Sequence, residues 1–393
     1  MSSEVDSMLN EKNNIVSNGF LTSQITYHKE FAPFARRPLT TFLIETASNW
    51  LDIPLGKAFV LVNFFLLFLS GILLFRLSKV MDSGLLKGII NLIIYFLSFS
   101  VLFAFFPPIF TYDEPLQYCF IFAGLTSFLK RQWAGYVLWF TAAMIARENS
   151  AFLIFGLALS VPGLGQIFRK VFSFAQLRHY LLIVIPVLLY FVFLIFFIET
   201  HGLWGDTQSE FLARFSNLKE NFRDMRNTVE TIISFVITLG VFVYFLFISA
   251  YQNDPSPKER RFANAFVISC VLNTLVVLIA AFSRESRLFA LPLLFIWPIM
   301  AQYCFKEIRL LLAFKTYWLC FANWRYCIAF GILTTINYII SFVVYVPSFP
   351  SSDNYFNEYL FLVLELMSLH FLLRHFTKRN LLSSAIFHTG LPI

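Results

Sequence analysis

Apolar stretches long enough, or nearly long enough, to cross a bilayer recur along the whole chain. They lie at about 56–76, 88–106, 114–129, 132–146, 149–161, 180–199, 230–250, 263–282, 287–305, 326–346 and 358–373. A helix needs roughly 20 apolar residues to span the hydrocarbon, so 114–129, 132–146 and 149–161 are short. Short helices with polar backbone at their ends are tolerated at membrane depth only where protein buries them or a watery cavity meets them. Their short lengths are therefore part of the argument for a site. Two other stretches are apolar on one side only. Within 209–230, Phe211, Phe215, Leu218, Phe222, Met225 and Val229 recur at threes and fours, opposite Arg214, Lys219, Glu220, Arg223 and Asp224. That periodicity predicts a helix lying in the interface plane. Residues 34–51 behave similarly, with Leu39, Phe42, Leu43 and Trp50 on the apolar side.

Composition narrows the class. Of 393 residues, 58% are hydrophobic and only 13% charged, against roughly 25% charged in soluble domains. The net charge of +7 does not point to nucleic acid, because the basic residues sit in short loops between apolar runs. One set of loops carries Arg76, Lys79 and Lys87, then Lys130 and Arg131, Arg169 to Arg178, Lys258 to Arg261, Lys306 to Arg325, and Arg374 to Arg379; the opposite set includes 107–113 and 347–357, which contain no Lys or Arg. The positive-inside rule makes the first set cytoplasmic. The expected fold is therefore all-α: a polytopic transmembrane helical bundle of about eleven membrane segments, with interfacial helices on the outer face. Its expected parts are an outer-face segment with an interfacial helix at 1–55, a membrane domain at 56–373 with an outer loop helix at 209–229, and a cytoplasmic tail at 374–393. Residues 1–55 carry no signal peptide. Either a short tail translocates with the first span, or a further helix precedes this stretch. The cysteines, Cys119, Cys270, Cys304, Cys320 and Cys327, lie in or beside apolar runs without zinc spacing and read as packing residues.

Acidic residues at the mouths of apolar segments are the candidate chemistry, since ionisable groups at membrane depth are costly. Asp113, Glu148 and Glu285 fall on one side of the expected topology. Asp113 is placed either to cap a helix begun by Glu114 and Pro115, or to act as a base for an acceptor hydroxyl or a ligand for a divalent cation. Arg147 and Glu148 interrupt an apolar run and, about 100° apart on a helix, are expected to find separate partners. They form either a helix-pinning ion pair or a phosphate grip in which Glu148 orients Arg147. Arg284, Glu285 and Arg287 offer the same chemistry, the two arginines three apart. Arg36 and Arg37, outside against the charge rule, meet lipid head groups or clamp an anionic lipid. Glu365 and His370, five apart, do not share a metal.

The order of Pro33-Phe-Ala-Arg-Arg-Pro-Leu39, Tyr112-Asp113, Arg147-Glu148 and Glu285-Ser-Arg287 resembles bacterial multi-pass proteins that look related to the GT-C class of membrane glycosyltransferases. The resemblance covers residues 27–305. It implies a many-helix bundle with an outer cavity, a sugar donor on polyprenyl phosphate, and catalysis by an outer-loop acid. Asp113 and Glu148 would then be catalytic, with Arg36, Arg37, Tyr112, Arg147, Arg284, Glu285 and Arg287 binding substrate. A divalent cation is the one cofactor the reading leaves open. The expected partners are the donor lipid and the bilayer, with protein partners unspecified. The expected location is the bacterial inner membrane, N-terminus outside and C-terminus cytoplasmic. The class carries its catalytic Asp after a first membrane helix, whereas here Glu30 is the nearest equivalent, and no large C-terminal soluble domain follows. A lipid-linked glycan polymerase or ligase shares the donor logic. A flippase or transporter of an anionic lipid or solute, or a scaffold subunit, remains a rival.

Overall fold

The computed structural model describes residues 18–104, 111–160, 174–205, 214–250, 255–344 and 356–389. Among them the chain is helical and contains no strand. Six helices are long and apolar enough to cross a membrane: Leu55–Val80, Arg178–His201, Met225–Ala250, Pro257–Ala280, Trp324–Val344 and Phe356–Arg379. Leu85–Leu97 and Trp133–Ala146 are apolar but shorter. The chain thus has the make-up of a membrane protein, with six such helices among the described residues where the hydropathy pattern counts about eleven segments.

The fold has two compact units. The larger comprises residues 1–234 and 255–299, the smaller 235–254 and 300–393. In the larger unit, Asn18–Glu30 and Pro38–Leu51 precede the first long helix, Leu55–Val80. Proline at the first turn and left-handed Asp52 (φ 51°) at the end fix the limits of Pro38–Leu51. Its Thr40, Thr41 and Ile44 are buried, whereas Phe42 and Trp50 are exposed. Pro257–Ala280 opens with a reciprocal capping box between Ser256 and Glu259. Gly156 lets Ala151–Ser160 close on that helix, for a Cβ there would lie 2.9 Å from the Ala265 carbonyl oxygen. Near the beginning of Pro257–Ala280, Lys258 reaches Asp82 at 2.7 Å and the Val80 carbonyl at 3.2 Å. A 24-residue helix rises about 36 Å, so Ala280 stands at the other end of the unit from these basic residues.

Several expected boundaries change. Residues 287–299 are not the start of a spanning helix: a 3-10 turn at Ser286–Phe289 and a single turn at Leu293–Ile296 replace it, with Pro292 and Pro298 among them. The segment is deeply buried, with Leu293 through Trp297 fully inaccessible. Its backbone is satisfied from neighbouring helices, as membrane-depth irregularity requires. Asn91 Nδ2 and Ser78 Oγ donate to the Pro298 carbonyl (2.8 and 3.1 Å), and Trp297 Nε1 donates to Ser98 Oγ at 2.8 Å. The interfacial helix expected at 209–229 is also absent as one element. Residues 209–213 lie outside the described residues, Asn217–Asn221 is one short helix, and a new helix starts at Met225. The supposed tail at 374–393 is helical as far as residue 389, as part of Phe356–Thr389. Most of loops 107–113 and 347–357 lies outside the described residues.

In the smaller unit, Trp324–Tyr338 widens into a π-helical turn at Ile339–Val344 and packs along Phe356–Thr389. Glu365 is held between them, accepting from Thr334 Oγ1 at 3.1 Å and Asn337 Nδ2 at 2.9 Å.

Candidate functional site

A cavity of about 680 Å³ opens in the larger unit. Its wall includes Val276 to Ala281, which places it at the end opposite Lys258. Phe59, near the start of Leu55–Val80, lines it as well. Four carboxylates and four guanidiniums share the lining: Asp113, Glu114, Glu148 and Glu285, with Arg37, Arg147, Arg214 and Arg287. Tyr27, His28, Phe31, Phe34, Tyr112 and Phe282 supply an aromatic wall.

Arg37 is positioned by the kink between the turn Ala32–Ala35 and the helix Pro38–Leu51, and its guanidinium lies over the Phe34 ring at 5.2 Å. It grips Glu148 through two hydrogen bonds, Nε to Oε2 at 2.7 Å and Nη2 to Oε1 at 2.6 Å. Its Nη1 stands 3.7 Å from Asp113 Oδ2. One guanidinium thus joins Asp113 and Glu148 in one site. Arg147 does not lie on a helix: it adopts extended backbone after Trp133–Ala146, before the 3-10 turn Glu148–Ser150. The break sends the adjacent side chains to different partners, Arg147 to Glu114 and Glu148 to Arg37. Arg287 approaches Glu114 at 3.6 Å and Glu285 at 3.0 Å. Glu148 therefore orients Arg37 rather than Arg147.

Asp113 is the exception among the carboxylates. It stands at the N-cap of Glu114–Leu129, yet its side chain does not cap that helix; Glu114 Oε2 instead turns back to accept from the Tyr112 amide at 3.1 Å. The residue is 2% exposed, and its Oδ1 makes no hydrogen bond of good geometry, with only a weak interaction from the Thr40 hydroxyl. Burial disfavours its charge and lifts the carboxyl to about 7, against the pull of Arg37. Burial acts on Glu148 in the same direction, but Arg37's charge and hydrogen bonds overrule it and hold that carboxyl at about 2. A base at neutral pH needs a pKa near the working pH. That condition fits Asp113 and not Glu148.

Tyr112 donates to or accepts from Thr41 Oγ1 at 2.9 Å and stacks on His28, ring centroids 3.6 Å apart. Burial, aided by Arg37, pushes the His28 imidazole down to about 3, so it is neutral at physiological pH. Two expected contributors stand elsewhere. Arg284 turns to Glu230 at 3.7 Å instead of sharing a face with Arg287, because the chain there is not a regular helix. Arg36, half-buried, is not part of the cavity lining; Glu30 is exposed and also outside it. Conversely, His28 and Glu114 belong to the site without having been singled out. Glu114 lies in the same Tyr-Asp-Glu-Pro stretch as Asp113, whereas nothing in the polar stretch around His28 distinguishes it.

Among the described residues no three His, Cys, Asp or Glu side chains form a group suited to a metal ion. At the mouth, all four carboxylates lie within ion-pair distance of a guanidinium, so a divalent cation would meet several positive groups there. The donor set does not fit such a cation. Comparisons with protein-family models, curated proteins and solved structures find no match to this chain.

Proposed function

We propose that the chain is a GT-C-like membrane glycosyltransferase that moves a sugar from a polyprenyl-phosphate donor to an acceptor hydroxyl of the cell envelope, on the non-cytoplasmic side. The supporting observation is the meeting of Arg37, Arg147 and Arg287 with a buried carboxyl, Asp113, in the lining of one cavity. In the reaction the donor's sugar C1–oxygen bond breaks and the acceptor oxygen bonds to C1. The acceptor proton passes to Asp113, and the lipid phosphate leaves carrying the negative charge. A guanidinium cluster offsets that developing charge before the reaction begins, which is the most effective arrangement for such stabilisation. Arg37 is held in place by Glu148, and Arg147 and Arg287 by Glu114. Lys79 and Lys258 at the opposite end of the unit support this sidedness through the positive-inside rule.

The test is turnover of short-chain polyprenyl-phosphate hexoses and pentoses by the full chain in proteoliposomes, read as free polyprenyl phosphate. The reading expects turnover of at least one donor and a loss of roughly 100-fold or more in Asp113→Asn. Absence of turnover for every donor, or unchanged turnover in Asp113→Asn, overturns it.

A further inference from the structure

The hydrogen-bond polarity beneath the mouth identifies a substrate contact outside the charged cluster. Ser150 is fully buried, and its Oγ lies 2.8 Å from the Arg147 carbonyl and 3.0 Å from the Ala143 carbonyl. Carbonyls only accept, so the single hydroxyl proton points toward them. The Ser150 lone pairs then face Gln117, 2.7 Å away, which must present its amide nitrogen. Gln117 is 1% exposed, and the same nitrogen donates to Asn149 Oδ1 at 2.7 Å. With its oxygen taken, Asn149 is left with its amide N–H groups as the polar face available to the cavity that it lines. The backbone of the helix break thus sets, through three side chains, which end of Asn149 is on offer.

We infer that Asn149 is a binding residue whose side-chain N–H groups donate to a phosphate oxygen of the lipid substrate. The inference rests on the reading of the mouth as a lipid-phosphate site. Asn149 lines the same cavity as Arg37 and Arg147, so its donor shares that cavity with their guanidiniums. A fixed donor next to fixed cations suits an anionic oxygen and costs little ordering on binding. Gln117, buried behind it, acts as a positioning residue.

The probe is dodecyl phosphate, binding to the full chain in a neutral detergent, with octyl glucoside as the uncharged sugar control. Asn149→Asp keeps the acceptor for Gln117 and should melt close to wild type, but it replaces the donor with a negative acceptor. Asn149→Ala removes the donor without adding charge. We expect dodecyl phosphate affinity to fall about tenfold in Asn149→Ala and further in Asn149→Asp, with octyl glucoside binding unchanged in both. Wild-type affinity in Asn149→Ala, or losses confined to octyl glucoside, overturns the inference. A strongly destabilised Asn149→Asp does so too, because it means that Gln117 presents its oxygen. Failure of the wild type itself to bind dodecyl phosphate instead removes the lipid-phosphate reading on which the inference rests.

Discussion

Both units bury ionisable side chains among apolar helices, but they treat them differently. In the smaller unit, His370 is fully buried and bonded at both nitrogens, Nε2 to Glu307 Oε2 at 2.8 Å and Nδ1 to the Tyr244 hydroxyl at 2.9 Å. Arg374 stands 3.6 Å from the other Glu307 oxygen. Glu365 is likewise closed off by Thr334 and Asn337. In the larger unit the groups are paired around an open cavity of about 680 Å³. Charge at membrane depth therefore does not by itself mark a site. A closed network is explained by packing, whereas an open one calls for a ligand.

Substitutions can break this contrast. The largest effect expected on function is the loss of roughly 100-fold or more in Asp113→Asn, accompanied by unchanged or higher stability, since a costly desolvated carboxyl is removed. His370→Ala should do the reverse. Leaving Glu307 buried without its imidazole costs about 3–5 kcal/mol, read as a lower midpoint in detergent unfolding, while donor turnover per folded molecule stays at the wild-type level. Arg37→Met belongs to both classes: it uncouples Glu148 and removes a phosphate cation, so stability and dodecyl phosphate binding should fall together.

Acidity sharpens the comparison further. The folded Asp113 carboxyl titrates near 7, above its unfolded value of about 4. Its neutral form is the one the fold favours, so its contribution is fully present below about pH 4 and is lost as pH rises through 7. Unfolding midpoints should decline over that window in wild type, and the decline should flatten in Asp113→Asn. Turnover should rise across the same window as the base is freed. The smallest effect is expected at Lys258, whose bridge to Asp82 is solvent-exposed. Lys258→Ala should change stability by less than about 1 kcal/mol.

Much of this was legible in the sequence. Hydropathy locates the long helices, and two of the three short apolar runs begin beside Asp113 and Glu148, which line the cavity. The helix break at Arg147 was visible as an interruption, although its extended backbone was not. Residues 287–299 read as a span because burial in protein and burial in lipid demand the same apolar composition; only the partners of the Pro298 carbonyl distinguish them. Arg284 was misplaced because three-residue spacing implies a shared face only on a regular helix. Asn149 and Gln117 could not be read at all. Their role depends on the direction of hydrogen bonds between segments 32 positions apart, and spacing along a chain carries no such direction.

The central claim is that Asp113 changes charge near neutral pH, unlike Glu114 and Glu148, which guanidiniums hold ionised. Infrared difference spectra of the full chain, wild type against Asp113→Asn, read this directly across a pH titration. The account predicts a protonated-carboxyl band that disappears with a midpoint near 7 and is missing from Asp113→Asn. An unchanged band in Asp113→Asn, or no carboxyl titrating between pH 5 and about 8 in wild type, would contradict it.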